Sequence, residues 1–330
     1  MITDADADFH TPTSDTQLWA ETNFFGCYVP EAHLNIGVYA LFRQNAGVVI
    51  STIHINSRFV DKPWEGDYWD PQHHLAIPQP ANLRNYTLAN GLSVKNLEPN
   101  RVWDVSFSNG RNVDLNFRYT ALAPAYDISD PEMDPIVAAA AQDETFAWGE
   151  AYKGHFDQTG HFEGELNLRG VTHTIDCVST MDHSWGPRGE HQDHNMSWLH
   201  AHFSKDYAIH GIFDFDHSGG PDAVTEGPIT HGYVLDHGEL IGLKAGRSRT
   251  VRQGYYAKAV EIEVEDARGR THRVTGIGRT SFPWQAGPGT VGFNVLAEWC
   301  SGAERGWGEI QDFVGPQFLT DVASAAARRD

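Results

Sequence analysis

"NRVWDVSFSNGRNVDLNFRYTAL", residues 100–122, reads as two strands folded about a turn. Trp103 to Phe107 and Val113 to Tyr119 alternate apolar and polar residues, the two-residue period of a strand with one buried face. Between them Asn109-Gly110 supplies the positive backbone angles that a tight hairpin turn requires. This pattern sets the expectation for the whole chain. "HLNIGVYALFR" and "GVVISTIHI" flank "QNA"; "KAVEIEVED" and "THRVTGIGR" flank "ARGR"; "TVGFNVLAEWC" and "WGEIQDF" flank "SGAERG". Helical spacing is scarce. It is confined to "DPEMDPIVAAAAQDE", residues 130–144, with proline near its start and an alanine run, and to "LTDVASAAARR" at the C-terminus. Many short strands at regular spacing predict antiparallel barrels or sandwiches.

Length and composition bound the function. At 330 residues the chain exceeds the usual size of one hydrophobic core, so two packed units are expected. The Gly- and His-rich "GPRGEHQDHN", residues 186–195, is the best linker, and it divides the chain into 1–188 and 189–330. Forty-four acids against twenty-four bases give a formal charge of −20, which repels phosphate backbones and anionic membrane surfaces, so no nucleic-acid partner is expected. The first residues, "MITDADADFHTPTSD", lack the basic start and apolar stretch of a signal peptide, and no apolar run approaches the ~20 residues of a membrane span. No stable membrane insertion and a cytoplasmic location are the expectation. Cys27, Cys177 and Cys300 lie far apart without a CxxC pair and read as buried, reduced thiols. Composition leaves a homodimer open.

The chemistry-bearing segment is "TMDHSWGPRGEH", residues 180–191. Strand alternation over 171–185 puts Val171, Ile175, Cys177, Met181, His183 and Trp185 on one face, with Thr172, Thr174, Asp176, Thr180 and Asp182 on the other. An imidazole on an apolar face beside an indole must find a partner, because an unpaired buried polar group costs about 1–3 kcal/mol. The plainer reading makes His183 a satisfied core histidine, with Asp182 and Ser184 closing the Gly186-Pro187 turn. "MSWLHAHF" and "YAIHGIFDFDH" then flank "SKD" as a hairpin. A three-residue loop pairs Phe203 with Tyr207, His202 with Ala208 and His200 with His210. One face carries Trp198, His200, His202, His210, Ile212, Asp214 and Asp216; the other carries Leu199, Ala201, Phe203, Tyr207, Ile209, Phe213 and Phe215. On a one-sided sheet the first face would be solvated, but in a barrel it would line a cavity with an apolar floor and a few converging polar groups.

Seven of the eighteen histidines fall between residues 183 and 217. His200, His202, His210 and Asp214 offer three nitrogens and an oxygen to zinc or iron. An HxH pair in a His-rich chain is weak evidence, and no HExxH helix or cupin spacing accompanies it, so no metal and no cofactor are expected. Neither a GxSxG elbow nor a phosphate-binding glycine loop is present.

"DHSWGPR", preceded by "GHFDQTGHFEGELNLRGVTHTID" and followed by the His/Asp hairpin and by "RGWGE" at 305–309, resembles the carotenoid hydratase (hydroxyneurosporene synthase) group and its bacterial relatives. The resemblance implies a mostly β fold of two lipocalin-like antiparallel barrels packed together. It also implies cofactor-independent acid/base chemistry on a hydrophobic small molecule, in enzymes that hydrate, cyclise or isomerise terpenoids and related polyenes. By the same resemblance the motif histidine and tryptophan fall on His183 and Trp185, and the acid that protonates a double bond falls on Asp214 or Asp216. His155 and Gln158 would line the same cavity. Asp182 and His210 complete the catalytic candidates, and Trp198, His200 and His202 the binding ones; Glu298 and Glu309 stand next in line as acids. A carboxyl in an apolar cavity stays neutral near pH 7, and a desolvated aromatic face stabilises a cation by about 2 kcal/mol. The alternative function is a lipocalin-like carrier that performs no chemistry.

Overall fold

The computed structural model describes residues 1–140, 153–189, 195–216, 219–287 and 289–327. The chain divides into two compact units. The first comprises Met1–Ile55, Tyr68–Ser129 and Ala147–Arg188; the second comprises Asn56–Asp67, Asp130–Phe146 and Gly189–Asp330. The main break thus follows Arg188, but two earlier segments cross into the second unit. A cut at one point in sequence misses them, because local composition does not register which sheet a loop packs on.

The first unit holds β1 (Trp19–Val29), β2 (Leu34–Arg43), β3 (Val48–Asn56), β4 (Tyr68–Ala76), β5 (Asn85–Thr87), β6 (Leu92–Glu98), β7 (Val102–Ser108), β8 (Val113–Ala121), β9 (Tyr126–Asp127), β10 (Gly154–Leu168) and β11 (Val171–Pro187). They run β4-β3-β2-β1-β11-β10-β8-β7-β6-β5, with β9 on the side of β10, as one curled half-barrel. The hairpin predicted around Asn109 is β7–β8, with Trp103 opposite Tyr119 and Phe107 opposite Leu115. Gly110 has φ +65°, and the Asn109 side-chain oxygen accepts the N–H groups of Arg111, Asn112 and Val113. Trp103, Phe117 and Tyr119 turn inward against Phe25 and Phe162, with ring centroids 5.0–6.3 Å apart. Each such buried aromatic contributes roughly 1.5–3 kcal/mol through the area it removes from water.

The second unit holds β12 (Met196–His202), β13 (Tyr207–Asp214), β14 (Val224–Asp236), β15 (Glu239–Gln253), β16 (Tyr256–Asp266), β17 (Thr271–Gly278), β18 (Phe282–Gly287), β19 (Thr290–Ser301) and β20 (Glu304–Val314). The order β17-β16-β15-β14-β13-β12-β20-β19 closes on itself where Thr275–Gly278 pairs with Ala297–Cys300, giving an eight-stranded barrel. Closure removes the exposed edges that an open sheet would present. Leu199, Ala201, Ile209 and Phe213 fill its apolar core with Val234, Val264, Val295, Trp299 and Ile310.

Among the described residues there are two α-helices, α1 (Pro135–Ala140) and α2 (Pro316–Ala327). The first starts at Pro135, later than the predicted residue 130: Asp134 caps it by accepting the N–H groups of Ile136 and Val137, so the residues before it form its approach. Residues 141–144, and 190–194 of the predicted linker, lie outside the described residues. None of the described helices is long and apolar enough to cross a membrane. All three cysteines are free, with Cys300 only partly buried.

Candidate functional site

Buried polar side chains gather in groups within each unit. In the first unit β1 lies between β2 and β11, and all eleven of its residues are buried. Its register sets Glu21 opposite Trp185 and Asn23 opposite His183, so these four share a face. Glu21 is fully buried. Its Oε1 accepts the backbone N–H of His10 (2.7 Å), Gln44 Nε2 (2.6 Å) and Trp19 Nε1 (3.4 Å). Its Oε2 faces two imidazoles, with His10 Nδ1 at 3.1 Å and His183 Nε2 at 3.8 Å.

Each imidazole is held from behind. His10 Nε2 lies 2.9 Å from Asp6 Oδ1, and His183 Nδ1–H donates to the Thr22 carbonyl at 2.6 Å. That bond places the lone pair of neutral His183 on Nε2, which has no hydrogen-bond partner. Burial drives the His183 pKa down to about 3, against the Thr22 carbonyl. Burial also presses on His10, yet Glu21 and Asp6 raise its pKa; for Glu21 burial outweighs the bonds from His10 and raises the carboxyl. The His10 ring stacks on Trp185, centroids 3.7 Å apart and planes within 9°. The indole has this place because residue 154 is glycine: a Cβ there would lie 2.1 Å from the ring.

His155 and Asp157 lie on the opposite face of β10 and β11 from His183, since His155 pairs with Ser184 and Asp157 with Asp182. His155 Nε2 is 3.2 Å from Asp157 Oδ2. Burial lowers the His155 pKa, but Asp157, with Asp182 behind it, lifts it above the usual value. Gln158 points the other way, donating to the Ala123 carbonyl at 3.0 Å. His155 and Gln158 therefore do not line one cavity wall, because three residues along a strand is an odd step. Among the described residues, two groups bring three His or carboxylate ligand atoms within 4.8 Å of one another: His10, Glu21 and His183, and His155, Asp157 and Asp182. The quartet weighed from the sequence, His200, His202, His210 and Asp214, is neither of them.

In the second unit the predicted hairpin forms in the expected register, His200 opposite His210 and His202 opposite Ala208. The face away from the apolar core is buried as well. It carries Trp198, His200, His202 and His210, joined by Tyr233 of β14 and by Glu309 and Gln311 of β20. The Glu309 backbone N–H donates to His200 Nδ1 at 3.3 Å, and the His202 Nδ1 lies 3.2 Å from the same atom. His200 Nδ1 is thus an acceptor, and the proton of neutral His200 sits on Nε2, 3.6 Å from Glu309 Oε2. Asn294 Nδ2 donates to Glu309 Oε1 at 2.8 Å. The His210 ring lies between Trp198 and Tyr233, 5.2 Å from each centroid. Burial, with His200 and His210 nearby, holds the His202 pKa well below its ordinary value. His231 Nδ1 is 2.8 Å from Asp134 Oδ2, both fully buried.

Asp214 and Asp216, the acids named by resemblance, are exposed at and beyond the end of β13. An exposed carboxyl is not desolvated by its surroundings as a buried one is. Among the described residues the buried carboxyls beside histidines are instead Glu21, Asp134, Asp157, Asp266 and Glu309. Of these only Glu309 stood among the sequence candidates. A strand residue such as Glu21, sharing a face with Trp19 and Phe25, is a detectable signal, since an acid is almost never fully buried without a partner. Asp134 and His231 carry no such sign.

The family described as a domain of unknown function, DUF7064, matches residues 3–312. No curated protein matches the sequence. Solved structures with the same fold include kievitone hydratase from Nectria haematococca, 12% identical, with TM-score 0.51 over 91% of this chain and 89% of that one. CghA, solved with Sch210972, is 12% identical with TM-score 0.56, covering 93% of each chain. A Nitrosomonas europaea protein assigned as AttH is 11% identical with TM-score 0.53, covering 88% of this chain and 91% of that one. At these identities the likeness is one of fold.

Proposed function

The chain belongs to the DUF7064 family, and from that premise we propose that it is a cofactor-independent acid/base enzyme of hydratase, cyclase or isomerase type acting on a hydrophobic small molecule, of terpenoid, steroid-like or aromatic character. The observation that carries the reading is the buried face of the second barrel, which Glu309 and three histidines share with Trp198 and Tyr233. Glu309 is the proton donor to a carbon–carbon double bond, in place of Asp214 and Asp216. Its carboxyl is fully buried, and Asn294, which donates to Oε1, fixes its direction. Trp198 and Tyr233 offer π-faces to the cation that protonation creates. His210, between the two rings, directs water onto that cation or takes up a proton from it, and this choice separates hydration from isomerisation. His183, neutral across the physiological range, is poorly matched to proton transfer near pH 7, where a catalytic group works best with a pKa close to the pH.

The test is turnover of a panel of hydrophobic alkenes and enones, followed by mass spectrometry, with binding followed by tryptophan fluorescence. The wild-type chain is expected to convert a ligand it binds. Glu309→Gln, which keeps shape and removes the acid, should lose at least ~10²-fold in rate while binding persists. Ligand binding without conversion by the wild-type chain would make it a carrier.

A further inference from the structure

We infer that His10, Glu21 and His183 form a binding site for one divalent transition-metal ion of borderline softness, such as zinc, which pins the N-terminal segment to β1 and β11. The inference stands apart from the proposed reaction, which uses other residues.

The donor set comes first. Two imidazole nitrogens and one carboxylate oxygen suit zinc and its first-row neighbours and leave a coordination position for water. At zinc bond lengths of about 2.0–2.2 Å, the donors of a tetrahedral site lie ~3.3 Å apart. Here His10 Nδ1 and His183 Nε2 lie 3.1 and 3.8 Å from Glu21 Oε2, and all three atoms fall within 4.8 Å of one another. An ion requires shifts of only a few tenths of an ångström along two of these edges.

The independent observation is His183 Nε2. The ring is 2% exposed, its tautomer is set by the bond to Thr22, and its lone pair is aimed toward Glu21 without a hydrogen-bond partner. A carboxylate oxygen cannot satisfy that lone pair, since both are acceptors; a cation between them satisfies both.

The outer contacts repeat the pattern. Metal-bound histidines nearly always give their other ring nitrogen to a carboxylate or a backbone carbonyl. His10 gives Nε2 to Asp6, and His183 gives Nδ1 to Thr22. Glu21 is turned in the same way: three donors converge on Oε1 and leave Oε2 for the ion. The proton between His10 Nδ1 and Glu21 Oε2 leaves to solvent when the ion binds. Trp185, stacked on His10, walls one side.

The experiment uses the full chain, stripped with a chelator and titrated with Zn²⁺ against a chromophoric competitor, and with Co²⁺ for its visible spectrum. One equivalent should bind tightly, and Co²⁺ should give the intense bands of a low-coordinate site. Glu21→Gln, His183→Ala and His10→Ala should each weaken Zn²⁺ binding by at least ~100-fold, and Asp6→Asn by ~10–100-fold. His161→Gln, which removes an imidazole–carboxylate contact of the same unit at 2.6 Å, should leave it unchanged. His10 is only half-buried, so its variant decides the matter should the two core variants fail to fold. Absence of a stoichiometric ion, or binding unaltered in His10→Ala and Asp6→Asn, would establish a plain His10–Glu21 ion pair and overturn the site.

Discussion

His155 shows how one strand position decides what a residue can do. It shares a face with Asp157 and Asp182 and is turned away from His183, although the two histidines lie on neighbouring strands. Its raised pKa means that the folded protein holds a proton there more firmly than the unfolded chain. The stabilisation is fully present below the unfolded value near 6.5 and is lost as pH rises through the folded value. Asp157→Asn should therefore cost more at pH 5.5 than at pH 9, on the order of 1–3 kcal/mol at the acid end, as read from denaturant titrations at both values. An equal cost at both pH values would remove the charge on His155 from the account. Gly154 makes a separate prediction. Gly154→Ala drives a methyl into the Trp185 ring, so it should destabilise by about 1–3 kcal/mol and red-shift tryptophan emission. The positions of His183, His200 and His210 were legible from alternation alone. Those of His10 and Asp134 were not, because they join partners 11 and 97 residues away through the fold rather than through local pattern.

Elements were read more securely than residues. The Asn109-Gly110 turn and the Ser204-Lys205-Asp206 loop each fix a register, and a fixed register settles which side chains share a face. Gly110→Ala, at φ +65°, should cost about 1 kcal/mol by equilibrium unfolding while leaving the β circular dichroism spectrum in place. Two features escaped the sequence reading for physical reasons. The alanine run at 138–141 favours helix, yet α1 is placed by the Asp134 cap and the buried Asp134–His231 pair, and propensity registers neither. The second face of β12 and β13 was readable as polar but not as buried, since period two gives two faces without saying what covers each. That ambiguity left the histidine face open to a solvated reading, and Asp214, at the end of β13, is exposed where its neighbours on that face are buried.

At the scale of the molecule, hairpin rhythm predicted antiparallel β structure, but not that one unit closes into a barrel while the other remains a curled half-barrel. Closure depends on the pairing of β17 with β19, a contact between non-consecutive strands that leaves no local trace. The same holds for function: the fold is shared with a hydratase at 12% identity, a level at which the barrel persists and side chains must be argued one by one. The central claim is that a buried carboxyl in the second barrel gives a proton to carbon. The most direct measurement is turnover in deuterium oxide, with the product examined by NMR. The account predicts one deuterium at the carbon protonated by Glu309 in the wild-type product, and none above background with Glu309→Gln; conversion without solvent deuterium at carbon, or undiminished labelling by Glu309→Gln, would contradict it.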